Sequence, residues 1–281
     1  MTLTSPAPAV AAPAVPATHA RSWLLVAGSR PEAFAEAENA ADALILDLED
    51  GVVPSSRAQA REDVTRFLAG GGAGWVRVNN VTTEDWAADL AAIRGLPGLR
   101  GVMLAKTESS DHVDRTAAEV PGTPILALVE SARGVEFAFD IASAAATTRI
   151  AFGTGDFRRD TNAGDTPEAL VYARGRLVVA SRAADLPGPI DGPCLTGEPD
   201  LSAALAVTRS MGMTGKLCMR LDDIVAVNRE LSPQNTDVAW AAETIARLGV
   251  NGENVADGSD LPKLARARRI THLVTVFSGK D

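Results

Sequence analysis

Residues 43–52 read A-L-I-L-D-L-E-D-G-V, a short apolar run that leads directly into three carboxylates. The run is continuous rather than alternating, which is typical of a parallel strand covered on both faces. Other runs of this kind recur along the chain. The predicted strands are Trp23–Ala27, Ala43–Leu48, Trp75–Asn79, Val102–Ala105, Ile125–Val129, Ile150–Gly153, a weaker one at Pro189–Pro193, and Lys216–Met219.

Amphipathic stretches lie between these runs, and several begin at Ser, Thr or Asp, whose side-chain oxygen can cap a free helix N-terminus. The predicted helices are Pro31–Ala41, Ser56–Leu68, Thr83–Arg94, Ser109–Glu119, Gly134–Ala145, Pro167–Ala184 and Asp200–Met211. This alternation predicts an α/β fold, a closed (β/α)₈ TIM barrel. The alternative is a doubly wound open sheet, which normally carries G-x-G-x-x-G after its first strand; this chain has A-G-S-R-P at 27–31.

The sequence divides into three parts. Residues 1–20 are rich in Ala and Pro and predict a disordered tail, because the prolines interrupt the apolar stretch that a signal peptide needs. Residues 21–232 form the predicted TIM-barrel catalytic domain. Residues 233–281 exceed what a barrel needs and contain two helical patterns, Asp237–Leu248 and Leu261–Val274. We expect this C-terminal helical extension either to cover the mouth of the barrel or to dock on a neighbouring subunit.

Composition narrows the classes of partner. The net charge of −9 and the pI of about 4.9 argue against nucleic acid, which requires a basic surface. No apolar run reaches the roughly 18 residues of a membrane span, so we expect no membrane partner and, by elimination, a cytoplasmic protein. Two cysteines do not make a disulfide framework, and three scattered histidines give little support to a zinc site or a His-dependent triad.

Charged side chains follow the predicted strands, at the face of a barrel that carries the active site. They are Asp47, Glu49, Asp50, Arg77, Lys106, Glu108, Glu130, Asp156 and Asp191. A convergent ring of carboxylates is costly to bury unless it is paired or binds a cation. Glu130 and Asp156 each follow an apolar run. Oxygen ligands without a nearby His or Cys select a hard cation, Mg²⁺ first and then Mn²⁺ or Ca²⁺.

Arg77 lies within the third predicted strand. A guanidinium fixed on a strand is suited to bidentate binding of a substrate carboxylate. The alternative is an internal ion pair with Asp47 or Glu49. With the metal pair, these residues predict a site that polarises a carbonyl and stabilises an enolate or alkoxide.

Six blocks carry a resemblance to a known family. They are L-I-L-D-L-E-D-G-V (44–52), W-V-R-V-N (75–79), A-L-V-E-S-A-R-G (127–134), F-G-T-G-D-F (152–157), A-L-V-Y-A-R (169–174) and G-K-L-C (215–218). In this order they resemble the citrate lyase beta-subunit-like family of the HpcH/HpaI aldolase and phosphoenolpyruvate/pyruvate superfamily. The resemblance implies a TIM barrel, a homotrimer or hexamer, and one Mg²⁺ per site. It also implies carbon–carbon bond cleavage or formation next to a carbonyl, often with an acyl-coenzyme A thioester as co-substrate.

The same resemblance implies roles for single residues. Glu130 and Asp156 match the metal ligands. Arg77 matches the arginine that holds the carboxylate of a 2-oxo acid. Glu49 matches the acidic residue that orders the metal-bound waters and Arg77.

Two further segments match family positions. The backbone of Gly153, Thr154 and Gly155 corresponds to the turn that lies against the bound oxo acid. The family's C-terminal helix begins with an acidic residue before x-Pro and reaches the site of an adjacent subunit. Asp260 matches this position and implies an acid/base supplied in trans. Asp257 is the alternative, because the connection before the helix is shorter than the family pattern.

One segment departs from the family. After G-K-L-C the family continues I-H-P-x-Q, whereas this chain has M-R-L-D-D at 219–223, so the wall that faces substrate or coenzyme A differs. We expect a Mg²⁺-dependent lyase that acts on a citryl- or malyl-coenzyme A-like or related hydroxy acid. The alternatives are an acyl-coenzyme A thioester hydrolase that uses the same site, and a non-autonomous subunit of a larger lyase complex.

Overall fold

The computed structural model describes residues 15–195 and 200–278. The strands are β1 (Ser22–Ala27), β2 (Ala43–Asp47), β3 (Gly74–Val78), β4 (Leu99–Leu104), β5 (Ile125–Val129), β6 (Thr147–Phe152), β7 (Ile190–Asp191) and β8 (Gly215–Cys218). Each strand pairs in parallel with the next, and β8 pairs with β1 to close the barrel. The predicted (β/α)₈ barrel is therefore confirmed.

Helices follow the strands within the unit formed by residues 17–231. They are α1 (Phe34–Ala40), α2 (Arg57–Ala69), α3 (Glu84–Ile93), α4 (Ser110–Glu119), α5 (Ala132–Glu136), α6 (Ala138–Ser143), α7 (Thr154–Thr161), α8 (Val171–Ala183), α9 (Asp200–Ser210) and α10 (Asp223–Leu231). Short 3₁₀ turns at Pro31–Ala33, Pro54–Ser56 and Pro167–Leu170 precede three of them. Each of these turns begins with proline, which has no backbone N–H. The first turn of a helix tolerates this, because the N–H groups of that turn have no helical partner.

The strands form the core because both of their faces are covered. Every residue of β2 and β5 is buried. At the amino-terminal end of the strands, the buried Arg149 guanidinium donates hydrogen bonds to the carbonyls of Ala17 (3.0 Å) and Ala20 (2.9 Å). These two residues belong to the segment predicted as a tail, and the first fourteen residues of that segment lie outside the described residues.

Residues 232–278 belong to a second unit. It contains α11 (Asn235–Leu248) and α12 (Asp260–Phe277), so the predicted extra C-terminal helices are present. Ala241, Ala267 and Ile270 form a small apolar core within this unit. None of the helices in the described part of the chain is both long enough and apolar enough to cross a membrane.

Three helices differ from the sequence prediction. The helix expected at Gly134–Ala145 is two helices, α5 and α6, and it begins earlier because Ser131 Oγ accepts a hydrogen bond from Gly134 N and caps α5. Helix α7 was not predicted, since its charged sequence lacks an apolar period. Helix α10 was also missed, although Ile224 and Val227 carry the helical spacing that buries them.

Candidate functional site

Arg77 and Asp47 lie side by side at the carboxyl ends of their strands. The register of β2 and β3 pairs these two residues directly. Arg77 Nε donates to Asp47 Oδ1 at 2.7 Å, and Nη2 donates to Oδ2 at 2.6 Å. The remaining nitrogen, Nη1, lies 3.2 Å from Glu49 Oε2. The structure therefore contains the internal ion pair that was the alternative interpretation of Arg77. The predicted role of Arg77 in substrate binding stays a prediction.

The turn after β2 wraps around the Asp47 carboxylate. Glu49 N donates to Asp47 Oδ1 at 2.9 Å, and Gly51 N donates to Oδ2 at 2.8 Å. A Cβ at position 51 would lie 2.2 Å from Asp47 Oδ2, so the close approach of this backbone requires glycine. Burial disfavours the charged form of Arg77, but attraction to Asp47 and then to Glu49 and Glu130 outweighs it and raises the Arg77 pKa above its usual value. Arg77 is therefore a fixed, permanently charged cation.

Glu130 follows β5 directly and is buried, with 5% of its surface exposed. Its Oε1 accepts a hydrogen bond from Lys106 N at 2.8 Å. Burial raises the pKa of Glu130 to about 8, and the negative charges of Glu49 and Asp156 add to this rise while Arg77 opposes it. Glu130 is thus a carboxylate whose negative charge is poorly compensated by its surroundings.

Gly153 follows β6 and makes room for Glu130. The register of β5 and β6 pairs Val129 with Phe152, so the next residue of each strand faces the other. A Cβ at position 153 would lie 2.4 Å from Glu130 Oε2 and 2.5 Å from Glu130 Cβ. The absence of a side chain at 153 therefore lets Glu130 occupy its position.

Asp156 lies in the first turn of α7. The next residue, Phe157, is buried and packs edge-on against Phe152 with ring centroids 5.3 Å apart, which anchors this turn to β6. Asp156 Oδ2 is buried and accepts no hydrogen bond from the residues that the structure describes. Arg159 Nη2 lies 3.1 Å away and Lys106 Nζ lies 3.7 Å away, but these contacts are ion pairs without hydrogen-bond geometry.

The predicted metal ligands line one polar cavity of about 480 Å³. Its lining residues are Asn80, Thr82, Lys106, Glu108, His112, Glu130, Ser131, Asp156, Arg159 and Asp160. Within it, Ser131 Oγ donates to Glu108 Oε1 at 2.6 Å, and Asp160 Oδ2 accepts from Ala132 N at 2.7 Å. The cavity is thus lined by both charges and hydrogen-bonding groups, which suits a small polar ligand.

Lys106 is one of the charged residues that follow the predicted strands, and the sequence alone predicts no role for it. In the structure its ammonium lies 2.7 Å from Glu49 Oε1. Burial lowers the pKa of Lys106, but the hydrogen bond and charge of Glu49, with Asp50 and Glu130, raise it overall. No sequence pattern predicts these contacts, since they join residues from separate strands.

Asp191 differs from the other strand-end carboxylates. It is completely buried at β7, where Oδ2 accepts hydrogen bonds from Lys216 Nζ (2.9 Å) and Thr208 Oγ1 (2.7 Å). Arg174 Nε donates to its other oxygen at 3.0 Å. Burial alone would raise the Asp191 pKa, but the charges of Lys216 and Arg174 lower it overall. This carboxylate is therefore held inside an ion-pair cluster.

The predicted acid/base lies in the C-terminal unit. Asp260 is the first residue of α12, and its side chain is only 5% exposed, 3.3 Å from Arg247 Nη2 and 3.6 Å from Lys263 Nζ. The backbone N–H of Ala256 is the main cause of a lowered pKa at Asp260. The alternative, Asp257, is exposed and accepts from Ser259 N at 2.6 Å. Within this unit, Asp257 is thus the more accessible of the two carboxylates.

Comparison with known proteins supports the resemblance seen in the sequence. A family model described as HpcH/HpaI aldolase/citrate lyase matches residues 21–191, and one described as HpcH/HpaI aldolase C-terminal domain matches residues 236–278. A (3S)-malyl-CoA thioesterase of Cereibacter sphaeroides is 31% identical over 235 residues, which cover 80% of this chain and 82% of the relative. An L-malyl-CoA/beta-methylmalyl-CoA lyase of the same species is 26% identical over 277 residues, covering 84% and 86%.

A solved structure is also similar to this chain. Protein CitE from Mycobacterium tuberculosis, in complex with magnesium, acetoacetate and coenzyme A, superposes with a TM-score of 0.78 at 27% identity. The match covers 92% of this chain and 99% of that one. Relatives named as a lyase and as a thioesterase both match, so similarity alone does not separate the two reactions.

Proposed function

This chain belongs to the HpcH/HpaI aldolase/citrate lyase family, and we propose that it is a Mg²⁺-dependent carbon–carbon lyase. The proposed reaction breaks or forms a bond between a 2-oxo acid and the carbon next to an acyl-coenzyme A carbonyl, as in a malyl- or citryl-coenzyme A-like substrate. The lyase part of the proposal rests on the family and on the relative named as a malyl-CoA lyase, and the observation that carries its metal dependence is electrostatic. Glu130 is buried within range of the charges of Glu49, Asp156 and Arg77, at the mouth of the barrel.

The described residues fit a hard divalent cation. Asp156 Oδ2 is buried without a hydrogen bond, and the charges around Glu130 disfavour its ionisation until a cation joins them. The donor set is made of oxygens, which Mg²⁺ prefers. No three His, Cys, Asp or Glu side chains within residues 15–195 and 200–278 are grouped to hold an ion by themselves. Glu130 and Asp156 would therefore share the cation with water and substrate oxygens, as is usual for Mg²⁺.

A bound cation would supply Lewis-acid polarisation of the oxo-acid carbonyl. The chain's own residues bind and orient the substrate. Asp47 holds Arg77 by Nε and Nη2, which leaves Nη1 for a substrate carboxylate beside Glu49. The first turn of α7 adds backbone N–H groups that have no helical partner, and Gly155 has open space where a side chain would lie. We infer that Gly153, Thr154 and Gly155 lie against the oxo acid.

Proton transfer requires an acid/base. In the cleavage direction a base takes the hydroxyl proton and the adjacent carbon–carbon bond breaks. The bond's electron pair moves to the carbon next to the thioester carbonyl, which is then protonated. We propose that the C-terminal unit of a neighbouring copy in a homo-oligomer supplies this group, Asp260 or Asp257. Asp260→Asn and Asp257→Asn variants, assayed for kcat, identify which one is used.

A thioesterase is the second candidate, because a relative with that name is 31% identical to this chain. In that reaction water attacks the thioester carbonyl and coenzyme A leaves. The same carboxylates would hold the cation, so products rather than metal dependence distinguish the two reactions. Met219 and Arg220, which are both exposed after β8, lie where this chain differs from the family pattern. This difference affects how the thioester is bound in either reaction.

Product analysis tests the proposal. The purified chain is incubated with malyl-coenzyme A and MgCl₂, and oxo acid, acetyl-coenzyme A and free thiol are measured together. A lyase forms glyoxylate and acetyl-coenzyme A in equal amounts without free thiol, whereas a thioesterase forms malate and free coenzyme A. Chelation should abolish activity and Mg²⁺ should restore it. Full activity in EDTA would refute the proposed metal site.

A further inference from the structure

Lys106 contacts every carboxylate at the centre of the proposed metal site. Its ammonium lies 2.7 Å from Glu49 Oε1 and 3.7 Å from Asp156 Oδ2, and its backbone N–H donates to Glu130 Oε1 at 2.8 Å. One residue therefore reaches both predicted metal ligands and the acidic residue beside them.

The backbone of Lys106 is in an unusual conformation. Its φ of 49° lies in the left-handed region, which disfavours residues with a side chain. The other described non-glycine residues with positive φ are Asn162 and Asp185, whose residue types tolerate this region better. The same residue donates its N–H to Glu130 Oε1, so the strained conformation lies where the site is built.

We propose that Lys106 is a positioning residue that sets the affinity of the site for its divalent cation. This inference rests on the proposed metal site. The ammonium holds Glu49 by a direct ion pair and competes with the cation for Asp156 Oδ2. Arg77 is already held by Asp47. Arg159 also lies near Asp156 Oδ2, but its side chain is 70% exposed, against 32% for Lys106, so Lys106 is the less solvent-screened of the two cations beside this oxygen.

The consequence is a site that binds the cation weakly until the substrate arrives. With its ammonium 3.7 Å from Asp156 Oδ2, Lys106 offsets part of the negative charge of that metal ligand. A substrate carboxylate brings further negative charge and oxygen ligands, which favour the cation over the ammonium. Lys106 thereby couples metal binding to oxo-acid binding.

Calorimetric titration of the metal-stripped full-length chain with MgCl₂ alone tests the inference. The variants are Lys106→Met, Lys106→Gly and Lys106→Arg. We expect the Met and Gly variants to bind Mg²⁺ at least about tenfold more tightly than the unmodified chain, since a repelling charge is removed. Lys106→Arg keeps the charge and should bind within about threefold of the unmodified chain.

Lys106→Gly keeps the backbone N–H and the positive φ at position 106, because glycine adopts this conformation without strain. This variant therefore tests the inference even if the Met variant does not fold. If the unmodified chain binds Mg²⁺ and the neutral variants bind it equally or more weakly, the inference about Lys106 is overturned but the proposed metal site is not. If the unmodified chain binds no Mg²⁺ with or without pyruvate, the proposed metal site fails and the inference fails with it.

Discussion

The substitution Gly153→Ala tests whether Glu130 is held where a metal ligand must be. A Cβ at position 153 would lie 2.4 Å from Glu130 Oε2 and also 2.5 Å from Glu130 Cβ. Because the clash reaches the base of the Glu130 side chain, rotation of the carboxylate alone cannot relieve it. The backbone of β5 or β6 must shift as well, and forcing an extra methyl into a packed site typically costs about 1–3 kcal/mol.

Two quantities should change together. The loss of stability should lower the melting midpoint of the metal-free protein by about 2–4 °C per kcal/mol for a chain of this size. Displacement of a ligand should weaken Mg²⁺ binding at least about tenfold, the equivalent of about 1.4 kcal/mol. Differential scanning calorimetry measures the first and isothermal titration with MgCl₂ measures the second.

Gly155→Ala is the matched control, since it adds the same methyl group two residues away. No atom lies within 4 Å of a Cβ at position 155, and the residue lies inside α7. Alanine in a helix is about 0.5–1 kcal/mol more favourable than glycine, so this variant should be slightly more stable and bind Mg²⁺ normally. A Gly153→Ala protein that is destabilised yet binds Mg²⁺ as tightly as the unmodified chain would refute Glu130 as a ligand.

Two further predictions concern charge. The raised pKa of Glu130, about 8, means that the metal-free native state keeps a proton that the unfolded chain releases above a pKa of about 4.5, so stability should fall as pH rises between these values. Urea unfolding in EDTA near pH 5 and near pH 9 should show this loss in the unmodified chain but not in Glu130→Gln, and an equal loss in both proteins would contradict it. Arg77→Lys cannot make the two-pronged contact with Asp47 and should weaken pyruvate binding in the presence of Mg²⁺ at least about tenfold. Arg94→Lys, in an exposed ion pair with Glu119, is the control and should bind pyruvate normally; equal affinity in all three proteins would remove Arg77 from the oxo-acid site.

The barrel was predictable because its strands are short and apolar throughout. Ile125–Val129 has the same bounds in the sequence prediction and in the structure. The strand expected at Pro189–Pro193 is reduced to Ile190–Asp191, since proline cannot donate the hydrogen bonds of a central strand. Helix α7 could not be found by apolar periodicity, because only Thr154 and Phe157 of its residues are buried and most of the others are charged.

The candidate site was only partly predictable. Strand-end carboxylates are visible in the sequence because barrel topology brings them to one face. Their partners are not visible, since the Lys106–Glu49 ion pair joins residues 57 positions apart. The enclosure of Asp260 by Arg247 and Lys263 depends on how α12 packs in its own unit. Sequence pattern thus indicates which residues approach the site, and side-chain packing decides which charges remain uncompensated.

Charge pairing separates the carboxylates of this site into two groups. Asp47 is matched to Arg77 by two hydrogen bonds, so its negative charge is already compensated. Among the described residues, Glu130 accepts a hydrogen bond from one backbone N–H only. Asp156 Oδ2 accepts none; the nearby Arg159 side chain is 70% exposed and therefore screened by solvent, and the Lys106 ammonium is 3.7 Å away. A divalent cation is the group that would compensate both of these residues at once. Arg77 thus holds the Asp47 carboxylate in place by two hydrogen bonds, while Glu130 and Asp156, whose charges are less fully compensated, define where the cation would bind.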